Sequence, residues 1–209
     1  MSQRGIGVEQ QNLSNTIVHF EDQTAVHKIS DALLDLLPSQ KNQPVVIVCI
    51  GTDRSTGDSL GPLIGSFLSE AGMNFFHVYG TLENPVHAMN LKDILQHVKK
   101  TYKNPFIIGI DACLGRIANI GEIKVGIGPV KPGAGVNKKL PEVGDAFITG
   151  IVNMAGHMEF VVLQNTRLNL VMKLAKKISA ALVETDRIYD KKRTFQPISF
   201  NFVKRKSAK

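Results

Sequence analysis

The sequence contains no stretch approaching the roughly 18–20 continuous apolar residues a helix needs to cross a bilayer, which excludes a helical membrane span. Its opening, Met1 to Gln23, has no apolar run of the signal-peptide kind, so a cytoplasmic protein is expected. Cysteine is scarce. Cys49 and Cys113 are the only two, both in or beside apolar, strand-like runs, and they read as reduced packing residues, not as a disulfide framework. The main glycine-rich segment, GTDRSTGDSLGP from Gly51 to Pro62, lacks the lysine–serine or lysine–threonine ending of a Walker loop and the glycine spacing of a dinucleotide fingerprint. Two aspartates within it, Asp53 and Asp58, would also repel a phosphate. Domain linkers, low-complexity stretches and internal repeats are absent from the 209 residues.

Positive charge is present but localised. Of 25 lysines and arginines, seven lie between Lys191 and Lys209, a segment without an acid, and the remaining 18 balance the 18 aspartates and glutamates. The net charge of +7 therefore belongs to a basic tail, residues 191–209, and a nucleic-acid partner is not expected of the body of the chain. Phe195, Phe200 and Phe202 suggest that part of this tail packs back. Residues 1–23 lack periodicity and are expected to form a flexible arm, leaving a single domain at 24–190.

Within that domain the pattern alternates. Val26, Ile29, Leu33, Leu36 and Leu37 recur at helical steps from Thr24, and Pro38 ends the helix. Val45 to Ile50 is a wholly apolar, β-branched run of the kind buried on both faces of a parallel sheet. Helices are expected at Leu60–Ala71 and Leu91–Tyr102, strands at Phe75–Tyr79, Phe106–Ile110, Ile123–Ile127 and Ala146–Val152, and one long helix at Glu159–Val183. This predicts a three-layer α/β sandwich around a mostly parallel sheet. Ligands in such sheets bind beyond the carboxyl ends of the strands, which directs attention to the segments after Ile50, Tyr79, Ile110 and Val152.

Two carboxylates fall there. Asp58 follows the first buried strand, and Asp111 follows the run FIIGI. If the two strands are neighbours the carboxylates approach, and like charges push one pKa upward. One group then stays protonated while the other accepts a proton from water. A divalent cation held between the two by oxygen ligands is the other reading of the same pair. Asp53 and Arg54 in the glycine-rich loop and His157 in NMAGHME are the candidate substrate-binding residues. Cys113 has no activating histidine close in sequence, and His77 and His87 lack metal-ligand spacing.

The stretch IGTDRSTGDSLGPLIG, Ile50 to Gly65, resembles the signature of the YyaC family of sporulation proteins, which is similar to the spore germination protease and more distantly to hydrogenase maturation peptidases. Those relatives carry an acidic residue seven positions after the glycine that ends the first strand, as Gly51 and Asp58 do, and a second in an apolar-Asp-Ala setting matched by Ile110, Asp111 and Ala112. KPGAGVNKKLPEVG, Lys131 to Gly144, is similar to a third segment of the germination protease. The resemblance implies a fold of the hydrogenase-maturation-protease type and peptide-bond hydrolysis by Asp58 and Asp111. It also implies a protein or peptide substrate and a sporulating cell as the setting. Thr52 replaces the asparagine of these relatives, and no histidine lies between Lys131 and Asp145 where the maturation peptidases complete a nickel-recognising set. A two-aspartate arrangement without cofactor is therefore expected, the alternative being a catalytically silent peptide- or protein-binding member of the same fold.

Overall fold

The computed structural model describes residues 15–40, 42–133 and 140–194. In chain order the elements are β1 (Thr16–His19), α1 (Ala25–Leu36), β2 (Val45–Cys49), α2 (Leu60–Ala71), β3 (His77–Tyr79), α3 (Leu91–Thr101), β4 (Phe106–Gly115), β5 (Glu122–Ile127), β6 (Ala146–Met154), α4 (Glu159–Gln164) and α5 (Leu168–Thr194). A single 3₁₀ turn, Ile117–Asn119, joins β4 to β5.

The strands form one six-stranded sheet in the order β1-β5-β6-β4-β2-β3. The β6-β4-β2-β3 part is parallel, and β5 and β1 add antiparallel pairs at one edge. All five residues of β2 are buried because alternate side chains enter two separate cores. Val45, Ile47 and Cys49 join Ile108, Ile110 and Ile148 under α1, α2 and α5, whose Leu33, Ile64 and Leu174 close that layer. Val46 and Val48 join Ile107 under α3, with Leu91 and Val98. The three-layer α/β expectation is met.

Several expectations are corrected. The supposed arm at 1–23 contributes β1, in which Thr16 lies opposite Val125 and Val18 opposite Ile123, while residues 1–14 lie outside the described part. Four residues were too few to show a strand pattern when only Val18 is buried. Phe75 and Phe76 precede β3 instead of opening it. The buried Asp186 on α5 captures their N–H groups at 3.0 and 2.9 Å and that of Asn74 at 2.7 Å, which diverts these donors from the sheet. The single long helix is two, since α4 ends at Gln164. There Asn165 Nδ2 and Thr166 Oγ1 donate to the carbonyls of Val161 and Val162 at 2.8 and 2.9 Å, polar competition that ends a helical turn. The second helix then runs to Thr194, so the basic tail begins within α5. Phe195, Phe200 and Phe202 lie outside the described residues.

Asp186→Ala is expected to lower stability by about 3 kcal/mol, because buried N–H groups lose their acceptor. Thermal unfolding would show this as a drop of roughly 6–12 °C, with Asp186→Asn in between. An unchanged midpoint would show that this clasp is dispensable.

Candidate active site

β2 and β4 are adjacent and parallel, with Cys49 opposite Ile110. At their carboxyl ends opens a cleft of about 450 Å³, lined among others by Gly51, Thr52, Asp58, Asp111 and Ala112. The chain leaves β2 toward α2 and β3 on one side, while β4 lies on the other. Such a reversal point is where open α/β sheets bind ligands.

Asp58 is set by close backbone approach. Gly51 has a φ of 149°, and a Cβ there would collide with the Asp58 carbonyl oxygen. A Cβ on Gly61 would collide with the Ile50 carbonyl. Only glycine allows these crossings. The Thr52 N–H donates to the Asp58 carbonyl at 3.1 Å and the Gly57 N–H to the Leu163 carbonyl at 2.8 Å, closing the loop between β2 and α4.

Asp111 lies inside a strand and not after one. β4 continues to Gly115 because β6 continues beside it, pairing Asp111 with Thr149 and Gly115 with Met154. The half-buried Asp111 carboxylate accepts the Ala112 N–H through Oδ1 at 2.9 Å. Burial, and then the charge of Asp58, push its pKa up to about 8, against the opposing Ala112 hydrogen bond. Burial also raises the Asp58 pKa, with the Ser55 hydroxyl pulling the other way. The cross-strand row Asp111, Thr149, Lys124 puts the lysine two strands away. No cation forms an ion pair with either aspartate among the described residues. The pair therefore relieves its desolvation by keeping a proton. It titrates as a unit.

The other sequence candidates sit elsewhere. Asp53 and Arg54 occupy an exposed turn, where Arg54 N–H donates to Thr52 Oγ1 at 3.3 Å, and His157 is exposed ahead of α4. None of the three lines the cleft. Cys113 does, but its thiol is pushed up chiefly by burial, with Asp111 adding to the rise and Thr149 and Lys124 opposing it, so thiolate chemistry is disfavoured. Sequence reasoning missed Thr149, Glu159 and Phe160, and set His87 aside. A parallel bridge between Ile50 and Val86 brings the segment after β3 to the cleft. There the His87 Nδ1 accepts the Met89 N–H at 3.2 Å. The one available signal was position, since His87 follows a strand at the ligand-binding edge.

A bound nickel or other divalent ion is the cofactor question raised by the fold. Among the described residues no group of three or more His, Cys, Asp or Glu side chains is placed to hold one. The chemistry considered below runs through the two carboxylates themselves.

The fold is a mixed α/β sandwich with a six-stranded central sheet, similar to that of a hydrogenase maturation protease. The crystal structure of the [NiFe] hydrogenase maturation protease HycI from Thermococcus kodakarensis KOD1 superposes with a TM-score of 0.51 over 74% of this chain and 98% of that one, at 16% identity, a likeness of fold. The chain belongs to the family described as "Protein of unknown function (DUF1256)", whose model matches residues 17–181. It is 50% identical over 194 residues to the "Uncharacterized protein YyaC" of Bacillus subtilis (strain 168), covering 93% of this chain and 94% of that one.

The raised Asp111 pKa makes a signed prediction. Between the ordinary carboxyl value near 4 and about 8 the native state holds a proton that the unfolded chain has lost, so stability falls as pH rises across that window and levels off above it. Asp111→Asn mimics the protonated form. Its thermal midpoint should gain on the parent protein progressively from pH 4.5 to pH 8.5, by roughly 5 °C or more at the upper end. A pH-independent difference would contradict the buried, proton-holding carboxyl.

Proposed function

We propose that this protein is a peptidase in which Asp58 and Asp111 hydrolyse a peptide bond. The observation that carries the reading is a carboxylate pair in one cleft, with Asp111 raised to about 8 by burial and by the charge of Asp58. At neutral pH Asp111 is the proton holder and Asp58 the base. Asp58 takes a proton from water as the water oxygen bonds to the substrate carbonyl carbon. Asp111 then gives its proton to the leaving nitrogen as the C–N bond breaks, and the proton on Asp58 restores the pair for the next turnover. The Ala112 N–H holds the Asp111 carboxyl, with Thr149 beside it in register and His87 on the cleft wall. The sporulation setting implied by the family resemblance rests on no residue of the cleft.

A specific observation favours a second reading, that of a silent binder. Phe160 of the cleft wall is 51% exposed, and Met89 and Met158, next in the chain to the lining residues Ala88 and Glu159, are 77% and 72% exposed, apolar surface of the kind that engages other proteins. Protein capture without turnover, surviving replacement of both aspartates, would establish it.

The test is incubation with a proteome-derived peptide library, with new termini read by mass spectrometry. The unaltered protein should generate a consistent set of cuts, and Asp58→Asn or Asp111→Asn should each reduce the rate by at least about 10²-fold, with both variants folded. Full activity in either variant would sink the mechanism. The rate should fall above pH 8 as Asp111 loses its proton, and fall on the acid side as Asp58 gains one. An activity still rising beyond pH 9 would reverse the assignment.

A further inference from the structure

β2 and β4 stay in register from Val45 opposite Phe106 to Cys49 opposite Ile110, and the Ile50 N–H donates to the Ile110 carbonyl at 2.7 Å. Beyond that point β2 departs. The Gly51 N–H turns to the Val86 carbonyl at 2.8 Å, and the chain bends toward Asp58. β4 does not depart, because β6 supports its other side as far as Gly115. In a parallel ladder the main-chain groups of alternate residues point to opposite neighbours. Ile110 points toward β2, so Ala112 and Leu114 point the same way, into the space β2 has left.

Asp111 Oδ1 takes the Ala112 N–H. On that side the Ala112 carbonyl and the Leu114 N–H and carbonyl face no paired strand among the described residues, since the β2–β4 ladder ends at Cys49 opposite Ile110. These open groups line the cleft beside Asp58 and Asp111. They do not face the two antiparallel strands at the far end of the sheet. They form an internal edge, beginning one residue past the Asp111 carboxylate and running about 7–10 Å at the usual strand rise.

We infer that the substrate is an extended, unfolded chain segment that adds as a strand to the open edge of β4 at Ala112–Leu114, taking the place β2 would occupy if it continued. This inference rests on the peptidase reading and specifies its substrate class. A helix has already used its N–H and carbonyl groups internally, whereas an extended segment presents the alternating donors and acceptors that this edge lacks. Successive side chains of the added strand point to opposite faces. One face meets Phe160 and Leu163 of α4, and the other meets Val130, Leu140 and Phe147. Each wall carries apolar side chains, beside Glu159 on one and Lys131 on the other, so the segment carries apolar side chains at consecutive positions. A chain end or an unfolded linker has this chemistry. Main-chain pairing fixes the register, and the peptide bond beside Ala112 is the one that comes to the carboxylate pair.

The experiment uses the full chain with Asp111→Asn, which keeps an oxygen for the Ala112 N–H and does not cut. The probes are fluorescein-labelled decapeptides from a library of alternating valine, leucine and alanine. The tightest binder is then remade with N-methyl groups on one alternate set of backbone amides, and separately on the other. One set should weaken binding at least tenfold while the other changes it less than threefold, and hydrogen exchange of the Leu114 amide should slow at least tenfold on saturation. Equal effects of the two sets, unchanged Leu114 exchange, or no binding by any library member would overturn the inference. The readout is independent of hydrolysis. Cutting by the unaltered protein without this pairing removes the inference alone, and pairing without cutting supports it while removing the peptidase reading.

Discussion

The close contact between the Gly51 α-carbon and the Asp58 carbonyl is the constraint on which the site depends. β2 is buried on both faces and cannot shift without disturbing two cores, so its carboxyl end is a fixed point. From there the chain must return within seven residues to present Asp58 beside the same strand end. Any side chain at 51 or 61 would force the backbone apart. Backbone held by backbone is stiffer than a side chain held by packing, and stiffness is what a carboxylate pair requires. Two like charges would otherwise separate, since the relaxed arrangement of two anions is a distant one.

The electrostatics follow from burial first and from that enforced proximity second. The described surroundings offer Asp111 one backbone N–H, a hydroxyl-bearing neighbour in register and apolar walls, with Lys124 displaced along the sheet. Asp186 shows the opposite solution to burial on the same molecule. Its two oxygens accept three main-chain N–H groups, and it serves as a structural clasp. The difference between these buried acids is the number of donors provided. Asp111, with a single main-chain donor, is left to hold a proton instead.

Much of this arrangement was legible in the sequence, for identifiable reasons. The apolar runs at Val45–Cys49 and Phe106–Ile110 announced buried parallel strands, and the glycines around Asp58 announced a tight loop after the first. Asp58 and Asp111 were picked out by their positions after apolar runs, and the structure brings both to the same cleft. What failed were features set by tertiary pairing. β1 has one buried side chain and exists because β5 offers it an edge. The extension of β4 through Asp111 to Gly115 depends on β6, and the polar composition after Ile110 hides it. His87 reaches the cleft through an isolated bridge between Ile50 and Val86 that has no periodic signature. Asp53, Arg54 and His157 had suitable chemistry near the right strand ends, but short turns direct them to solvent.

The interruption at Asn165–Arg167 leaves α4 a separate six-residue helix. Its Leu163 carbonyl is bound by the Gly57 N–H, and any Cβ on Gly57 would strike Leu163. One wall of the cleft and the loop that carries Asp58 are thereby a single mechanical part. The girth of the opening and the placement of the carboxylate cannot be adjusted separately. A lineage that widened this mouth by displacing α4 would detune the chemistry in the same step, so diversification of what the cleft admits is channelled to the opposite wall, around Val130 and Leu140.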